Sequence, residues 1–257
     1  MSKISGVIIT LNEESCIQKC IESLLPVCDE IVVLDSHSVD ETESICKRLG
    51  VRFFQQKFVG YGQQKNAAVA LAQHNYILSL DADEFLSKEL IQEILKEKNV
   101  GLKAIYSMPR LNNYCGHWVK HCGWYPDRKI RLWHRAKARW EDKDVHEKVI
   151  PIATDLTEMK LKGDILHHTY TDIADHLQRI EYYTDLQSIQ MFKAGKKYNR
   201  LKKFASSVFR FIYIYLIRLG FLDGKAGWNI AQFSALNQFL KYDKLENLYL
   251  STNSRTK

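Results

Sequence analysis

The sequence predicts an α/β fold in which a mixed, mostly parallel sheet is flanked by helices and followed by a helical C-terminal extension. In the first hundred residues, short apolar runs alternate with helical patterns at the spacing of β-α-β units. Right-handed crossovers between such units favour a parallel sheet. Residues 169–257 instead carry long helical patterns rich in basic and aromatic side chains. We therefore divide the chain into a domain of residues 1–168 and an extension of residues 169–257.

The predicted strands are short runs of β-branched and aliphatic residues bounded by turn residues. They are Gly6 to Leu11, Glu30 to Leu34, Val51 to Phe54, Tyr76 to Leu80, Leu102 to Pro109 and Asp127 to Arg135. Amphipathic patterns predict helices between the first four strands. The first helix opens at Asn12 to Glu14 and ends before Pro26. The second follows Asp40 and runs as far as Leu49, and the third runs from Gln64 to Ala72. The first hundred residues thus have the organisation of half a nucleotide-binding domain.

Polar and acidic clusters follow three of the predicted strands. The clusters are Thr10 to Glu13, Asp35 to Ser38 and Asp81 to Glu84. Because the carboxyl ends of parallel strands meet at one edge of a sheet, where helix N-termini offer donors to phosphates, we expect the clusters to border one cleft. In extended chain Asp81 and Asp83 point the same way and can converge on one divalent cation. The alternative is that these acids only begin a helix predicted over Leu86 to Leu95.

The composition is that of an ordinary globular protein with an uneven charge distribution. Hydrophobic residues make up 46% of the chain, charged residues 26%, and the formal net charge is +7. Residues 1–100 hold 10 Lys and Arg against 15 Asp and Glu, whereas residues 101–257 hold 27 against 15. The basic second part predicts an anionic partner. A nucleic-acid-binding protein does not need acids at strand ends, so we expect no nucleic-acid partner.

Other classes of protein lack their sequence signals here. No G-x-G-x-x-G follows the first strand and no G-x-x-x-x-G-K-[ST] occurs, which disfavours a dinucleotide-dependent dehydrogenase and a P-loop NTPase. Six cysteines without a C-x-x-C pair predict small buried thiols rather than a zinc site or a disulfide framework. The N-terminal apolar stretch is too short for a secretory signal, so we expect the protein to stay inside the cell.

Three motifs together resemble the family 2 inverting glycosyltransferases of GT-A fold, a Rossmann-like mixed sheet flanked by helices. The motifs are Val7 to Glu14, Val32 to Thr42 and Leu78 to Glu84, and they occur in the family's order and spacing. The resemblance implies that Thr10, Asn12 and Glu13 border the pocket of a nucleotide-diphosphate sugar. It also implies that Asp35 contacts the base or ribose and that Asp83 holds Mg²⁺ or Mn²⁺.

Two further donor contacts follow from the same resemblance. Asp81 would contact the ribose or reach the metal only through water. The segment Gly62 to Asn66 resembles the one that closes over the nucleotide, and there Lys65 would supply charge for a phosphate.

An inverting transfer needs a carboxylate that takes the proton of the acceptor hydroxyl. Four of the seven residues from Glu141 to Glu147 are acids, and the Val-His-Glu end of the segment resembles the region where this subgroup carries its acceptor-side acid. Glu147 is therefore the first candidate for the general base, followed by Asp144 and Asp142. The alternative is a solvated acidic turn.

Three other segments leave two interpretations open. His168 follows a strand-like run. Its imidazole is either functional, as a third metal ligand or a hydrogen-bond donor to the diphosphate, or has only a structural role. The basic residues of Asp127 to Arg135 either line a channel for phosphorylated ligands or face solvent on an edge strand. Aromatic residues and glycines between Tyr114 and Pro126 suit sugar stacking or a packed loop.

The C-terminal extension predicts contact with a membrane surface. Lys202 to Leu219 is dense in aromatic and aliphatic residues, but Arg210 and Arg218 keep its apolar run below the ~20 residues that span a bilayer. We expect an interfacial helix. A buried helical pair is the alternative interpretation.

These features predict a metal-dependent glycosyltransferase with a glycolipid acceptor. Nearly the whole chain resembles bacterial lipopolysaccharide inner-core β-1,4-glucosyltransferases, which implies transfer of glucose from UDP-glucose to a lipopolysaccharide or lipooligosaccharide core. The implied location is the cytoplasm, peripheral on the cytoplasmic face of the inner membrane. The alternatives are a non-catalytic membrane scaffold of the same fold and a transferase for another cell-surface polysaccharide.

Overall fold

The computed structural model describes residues 2–103, 105–143, 147–152 and 156–255, and the chain forms two compact units. The sheet unit comprises residues 1–111 and 127–168, and the helical unit comprises residues 112–126 and 169–257. The helical unit thus includes a segment, residues 112–126, that lies within the predicted first domain. The functional division of the chain after residue 168 stays a prediction.

Twelve strands and seven α-helices make up the described chain. The strands are β1 (Ile4–Thr10), β2 (Glu30–Asp35), β3 (Arg52–Gln55), β4 (Tyr76–Asp81), β5 (Glu84–Leu86), β6 (Ile105–Tyr114), β7 (His117–Val119), β8 (Asp127–His134), β9 (Ala138–Trp140), β10 (Val149–Pro151), β11 (Glu158–Lys160) and β12 (Ile165–Tyr170). The helices are α1 (Ile17–Leu24), α2 (Thr42–Arg48), α3 (Tyr61–Ala70), α4 (Lys88–Val100), α5 (Ile173–Lys193), α6 (Arg200–Ile212) and α7 (Gly224–Arg255).

Ten of the strands form one mixed sheet. Its path runs β3-β2-β1-β4-β8-β6-β12-β5, with β7 and β11 also paired to β6, while β9 and β10 form a separate hairpin. Strands β1 to β4 pair with one another in parallel, whereas β8 is antiparallel to both β4 and β6. This arrangement confirms the predicted α/β class with a mixed sheet.

Alternate residues of the central strand β1 serve the two faces of the sheet. Ile8 packs with α1 residues such as Ile21 in one core cluster. Val7 packs with Ala68 of α3 and with Trp133 in the other. Helices therefore cover both faces of the parallel part of the sheet, as β-α-β crossovers require.

The predicted start of α1 and one alternative interpretation in the sheet unit are wrong. Helix α1 begins at Ile17 instead of Asn12, because the residues before it bond to the loop that follows β2. The acids of Asp81 to Glu84 do not begin a helix either. Strand β5 follows them, and α4 is capped by the Ser87 hydroxyl, which accepts from the Leu90 N–H.

The edge-strand interpretation of Asp127 to Arg135 is wrong for the second half of the strand. Strand β8 pairs with β6 from Asp127 to Trp133 and with β4 from Leu132 to His134. Leu132 and Trp133 are completely buried. Arg128 and Lys129 lie in the first half, where β8 pairs with β6 alone, and Arg128 is exposed.

The three long helices of the helical unit pack together, with α7 against both α5 and α6. A π-helical turn, Tyr213–Ile217, and a 3-10 turn, Gly220–Asp223, connect α6 to α7. Asp223 is buried and accepts from the backbone N–H groups of Lys120 and His121. These bonds tie the turn to residues 112–126 and account for the place of that segment in the helical unit.

Within the described residues, no single helix is both long and apolar enough to cross a membrane. One pair of helical segments, residues 200–217 and 220–251, passes that test together, but it is bent by 71° at the break. The second segment extends beyond the helix predicted over Trp228 to Tyr242 at both ends.

Candidate active site

The carboxyl ends of β1, β2 and β4 meet at one edge of the sheet. In the parallel register Thr10 is paired with Asp35, and Ile9 with Asp81. The prediction that the three strand-end clusters share an edge is therefore confirmed. The Thr10 hydroxyl is buried there and has no hydrogen-bond partner among the described residues. Because buried hydroxyl groups are nearly always hydrogen-bonded, a bound ligand would supply the partner that this hydroxyl lacks.

Reciprocal hydrogen bonds join the loops that follow β1 and β2. The Asn12 N–H donates to Ser38 Oγ at 2.8 Å, and the Val39 N–H donates to Asn12 Oδ1 at 2.9 Å. The Glu13 N–H donates to Thr42 Oγ1 at 2.9 Å. Asn12 has a φ of 56°, a left-handed conformation that Asn adopts more readily than most residues. The rim predicted to border the nucleotide is thus held by its own bonds.

Asp35 is completely buried beneath this rim. Its Oδ2 accepts from the Ser38 N–H at 2.8 Å and from Gln55 Nε2 at 3.3 Å. The carboxylate therefore shapes the loop after β2. Its contact with a base or ribose stays a prediction.

Lys65 of α3 links two carboxylates that are far apart in sequence. Its side chain is only 3% exposed, and Nζ lies 2.6 Å from Asp81 Oδ1 and 2.7 Å from Glu147 Oε1. The ammonium also lies 4.4 Å from the centre of the Trp140 ring, within cation–π range. Lys65 was expected to supply charge for a phosphate, and the structure places that charge between a strand-end acid and the first candidate for the general base.

A second cation holds the other side of Asp81. Arg131 Nη2 of β8 lies 2.8 Å from Asp81 Oδ2 and 2.7 Å from Glu84 Oε1, and Arg131 and Glu84 are both buried. Burial raises the pKa of Asp81, but the charges of Arg131 and Lys65 outweigh it and hold that pKa well below its usual value. Asp81 is therefore an anion throughout the physiological pH range.

A cavity of about 760 Å³ opens beside Asp81 and Glu147. Five basic side chains line it, together with those two acids and Asp127. The basic residues are Arg110, Arg128, Lys129, Arg131 and Lys148. Its volume lies within the ~300–1,000 Å³ of ordinary ligand pockets, and its excess of positive charge favours an anionic ligand.

The β9–β10 hairpin, which carries the candidate bases, is fastened to α3. Asn66 Nδ2 donates to the Trp140 carbonyl at 3.0 Å, and the Trp140 N–H donates to Asn66 Oδ1 at 3.1 Å. Gly62 allows this close approach, because a Cβ there would lie 2.1 Å from the Glu141 carbonyl oxygen. The hairpin and the helix that bears Lys65 therefore form one supported wall.

The candidate bases differ in their surroundings. Glu147 is half-buried and lines the cavity with Asp81. Asp142 lies at the exposed surface, where it accepts from Asn66 Nδ2 and from Arg139 Nη1, both at 3.1 Å. Asp144 lies outside the described residues. Of the two carboxylates that can be compared, Glu147 is better placed to meet a substrate.

Asp83 is partly exposed and faces the paired histidines of β12. His167 Nε2 lies 3.1 Å from Asp83 Oδ2, and the His168 N–H donates to the Asp83 carbonyl at 3.3 Å. The His168 ring stacks on Phe85 with 5.4 Å between centroids. The imidazole placed beside this carboxylate is thus that of His167, and metal binding by Asp83 and His168 stays a prediction.

The described residues contain no group of three or more His, Cys, Asp or Glu side chains arranged to hold a metal ion. One carboxylate with a nearby imidazole nevertheless fits Mg²⁺ or Mn²⁺ in a nucleotide site, because such ions keep several waters and take further ligands from substrate phosphates. Asp81 is engaged by two cations, so the donor set for an ion centres on Asp83.

Sequence reasoning missed Arg131, Glu84 and His167 as contributors to this site. Glu84 and Arg131 were visible as the last residue of an acidic cluster and as part of a basic strand. Their pairing depends on β8 lying next to β4, which no local pattern specifies. The choice between two adjacent histidines likewise needed the register of β12 against β5.

The chain belongs to glycosyl transferase family 2, because residues 5–153 match the model of that family. The protein is thus a glycosyltransferase, and its mixed sheet with flanking helices is GT-A-like. The family match covers the shared sheet edge, Lys65 and Glu147, and it ends before the three long helices.

Several curated relatives match almost the full length of the chain, including two with 29% identity. An uncharacterized glycosyltransferase of Rickettsia typhi is 29% identical over 264 residues, covering 99% of this chain and 90% of the relative. The lipopolysaccharide core biosynthesis glycosyltransferase LpsC of Rhizobium meliloti is 29% identical over 258 residues, covering 94% and 91%.

Among solved structures, similarity is found to glucosyl-3-phosphoglycerate synthase from Mycobacterium tuberculosis in complex with Mn²⁺ and uridine-diphosphate-glucose. The two chains are 23% identical with a TM-score of 0.37, and the match covers 44% of each.

Proposed function

We propose that the protein transfers a sugar from a nucleotide diphosphate to a hydroxyl group of a lipopolysaccharide or lipooligosaccharide core, with inversion at the anomeric carbon. UDP-glucose is the proposed donor. The observation that carries this proposal is the Lys65 bridge, which sets Asp81 and Glu147 on the wall of one cavity. The role in lipopolysaccharide core biosynthesis named for the Rhizobium relative supports the acceptor class.

In the proposed reaction Glu147 takes the proton of the acceptor hydroxyl. The acceptor oxygen attacks the anomeric carbon of the sugar, and the bond from that carbon to the diphosphate oxygen breaks. Attack from the face opposite the leaving group inverts the configuration. Lys65 holds the Glu147 carboxylate in position, and Asn66 holds the hairpin that carries it.

Asp83 with His167, or with His168 as predicted from sequence, would hold Mg²⁺ or Mn²⁺ on the donor diphosphate. When bound, such an ion neutralises the charge that develops on the leaving diphosphate. Asp81 is already paired with Lys65 and Arg131, so a ribose hydroxyl that donates to it is a better partner than a metal ion.

The cations of the cavity support an acceptor that carries phosphate. Arg128, Lys129 and Lys148 line the cavity beside Glu147. Charge-assisted hydrogen bonds from Arg and Lys to phosphate oxygens are among the stronger polar contacts in proteins. A phosphorylated glycolipid headgroup would therefore be drawn into the cavity that Glu147 lines.

The proposed location is the cytoplasm, peripheral on the cytoplasmic face of the inner membrane, and α6 supports it. Five large apolar side chains of α6 are exposed, and their spacing places them along one side of the helix. They are Leu201, Phe204, Val208, Phe209 and Ile212. Lys202 is exposed on the same helix, and an apolar face with adjacent cations is the pattern of a helix that lies on an anionic membrane surface.

A donor screen tests the catalytic proposal. Nucleotide release is measured for UDP-glucose first and then for other nucleotide sugars, with and without a heptose-containing acceptor and with and without Mn²⁺. We expect acceptor-dependent release that needs the metal, and Asp83→Asn should lose Mn²⁺-dependent donor binding in calorimetry. If no nucleotide sugar binds with any metal, the protein is a non-catalytic scaffold of this fold.

Vesicle flotation tests the membrane proposal. At low salt the protein should float with vesicles that contain anionic phospholipid, and Val208→Ser should weaken this binding. Val39→Ser is the matched control, because Val39 is a valine of the sheet unit that is 92% exposed. Equal losses for the two variants, or no flotation of the wild-type protein, would exclude α6 as the membrane contact.

A further inference from the structure

The helical unit contains a cavity of its own, of about 380 Å³, whose lining residues all belong to that unit. Side chains of α5, α6 and α7 surround it, together with Trp124 and Tyr170. None of these residues lines the cavity beside Asp81. The volume lies in the lower part of the range for small-molecule sites and is roughly that needed by a phosphorylated monosaccharide.

Three cations line this cavity, and among the described residues no acid lines it. Arg179 comes from α5, Arg210 from α6 and Lys241 from α7. In the described part of the chain neither Arg210 nor Lys241 has a carboxylate within ion-pair distance, while Arg179 Nε donates to Asp175 Oδ1 at 2.8 Å. Two of the three positive charges are therefore left without a partner of opposite sign.

Burial and like charges act together on Lys241. Burial and the nearby cations Arg210, Lys196 and Lys202 lower the pKa of Lys241. A protein gains nothing in stability from holding like charges together. An anion bound among them would relieve that repulsion.

The remaining lining suits a sugar ring or another polar headgroup. Asn237 and Gln238 of α7 offer amide groups, and Gln238 Oε1 accepts from Lys241 Nζ at 2.7 Å. Tyr170 presents an aromatic ring over which the Arg179 guanidinium lies at 5.1 Å. Aromatic faces and amides are the groups that bind carbohydrate hydroxyls and ring C–H faces, while guanidinium and ammonium groups bind phosphate.

We propose that the cavity between the three long helices is a second binding site, specific for a phosphate-bearing ligand such as a sugar phosphate or a phosphorylated lipid headgroup. Arg210 and Lys241 supply the charge, and Asn237, Gln238 and Tyr170 contact the rest of the ligand. The site is formed by residues that take no part in the proposed transfer, so its existence does not depend on that function.

The test uses the full-length protein and a matched pair of variants. Lys241→Gln removes a cation from the cavity, and Lys225→Gln removes an exposed cation from the same helix outside it. Binding of glucose 1-phosphate and of inorganic phosphate is measured by calorimetry. Flotation is measured with phosphatidylcholine vesicles that do or do not contain phosphatidic acid. UDP binding and thermal unfolding show whether each variant is folded and keeps its donor site.

We expect Lys241→Gln to weaken binding of a phosphate probe at least about 10-fold, and Lys225→Gln to leave it unchanged. Loss of glucose 1-phosphate or phosphate binding identifies a soluble ligand, whereas loss confined to phosphatidic acid vesicles identifies a lipid headgroup. Arg210→Gln should reproduce the loss. If folded Lys241→Gln and Arg210→Gln bind every probe as the wild type does, or no more weakly than Lys225→Gln, the proposal is wrong.

Discussion

The two cavities of this protein use positive charge in opposite ways. In the sheet unit, Lys65 and Arg131 each contact two carboxylates, so cations and acids hold one another in position. In the helical unit, Arg210 and Lys241 line a cavity whose described lining contains no acid. Paired charges position groups for chemistry, whereas unpaired cations are left to bind an anion from solution. The difference separates the proposed reaction site from the proposed phosphate site, although both belong to a basic protein.

The largest expected effect tests the reaction site. Glu147→Gln keeps the shape of the side chain but removes its proton acceptor, so kcat should fall by about 10²–10⁴-fold while donor binding stays intact. Steady-state nucleotide release and calorimetry with UDP measure the two quantities.

Asp142→Asn is the matched control, since Asp142 is exposed and bound by Arg139, and it should leave kcat nearly unchanged. A variant of Asp144 belongs in the same series. If Asp144→Asn loses the rate and Glu147→Gln keeps it, the base has been assigned to the wrong carboxylate.

The next effect compares buried cations in the two units. Arg131→Met removes the buried cation that Asp81 and Glu84 share, leaving Asp81 with Lys65 and Glu84 with Arg110, and should destabilise the protein by up to about 3–5 kcal/mol. Lys203→Met in α6 removes a cation from Asp243 and Glu246, of which Asp243 is more open to water, so the loss should be clearly smaller. Thermal and urea unfolding measure both. If both variants lose the same free energy of unfolding, the cation of the sheet unit stabilises the fold no more than the cation of the helical unit does.

A pH effect is expected from the helical unit. Burial lowers the pKa of His176 from 6.5 to about 4, and its Nδ1 lies 3.0 Å from the Tyr114 hydroxyl. Between pH 6.5 and 4 the unfolded chain binds a proton that the folded chain does not, so stability should fall as the pH is lowered through this range and level off below it.

The size of this effect is limited by the pKa shift to about 3 kcal/mol. Urea unfolding at a series of pH values measures it, and His176→Gln is the control that should flatten the slope. If wild type and variant lose stability equally between pH 6.5 and 4, His176 does not govern the acid sensitivity.

The smallest effect concerns the packing of α3 against the β9–β10 hairpin. Gly62→Ala places a Cβ against the Glu141 carbonyl and should cost roughly 1–3 kcal/mol, because backbone atoms of the hairpin have to move. Gly195→Ala is unsuitable as a control because its φ is 66°. Ala70→Gly, at the other end of α3, serves instead and should cost only about 1 kcal/mol. Nucleotide release from Gly62→Ala should drop as Lys65 and Glu147 separate, and an unchanged rate would show that their contact does not depend on this packing.

Much of the fold and some of the site followed from local patterns in the sequence. Apolar runs predicted both ends of strands β1 to β4 to within two residues, because short buried strands are built from β-branched and aliphatic residues. The start of α1 was predicted too early, because the N–H groups of Asn12 and Glu13 donate to the Ser38 and Thr42 hydroxyls and hold these residues outside the helix. Local sequence propensity does not reveal a hydrogen-bond partner that is 26 or 29 residues away in the chain.

The sequence by itself determined the class of the protein, the shared edge of Thr10, Asp35 and Asp81, and Glu147 as a candidate base. The shared edge followed because the carboxyl ends of parallel strands coincide in any such sheet. The class followed from the resemblance of three motifs to a known family, and Glu147 from the resemblance of the Val-His-Glu segment. Tertiary structure alone decided that Lys65 joins Asp81 to Glu147, that Arg131 lies beneath Asp81, and that three helices enclose a cation-lined cavity. Those contacts join residues up to 82 positions apart, and only the packing of the complete chain brings such side chains together.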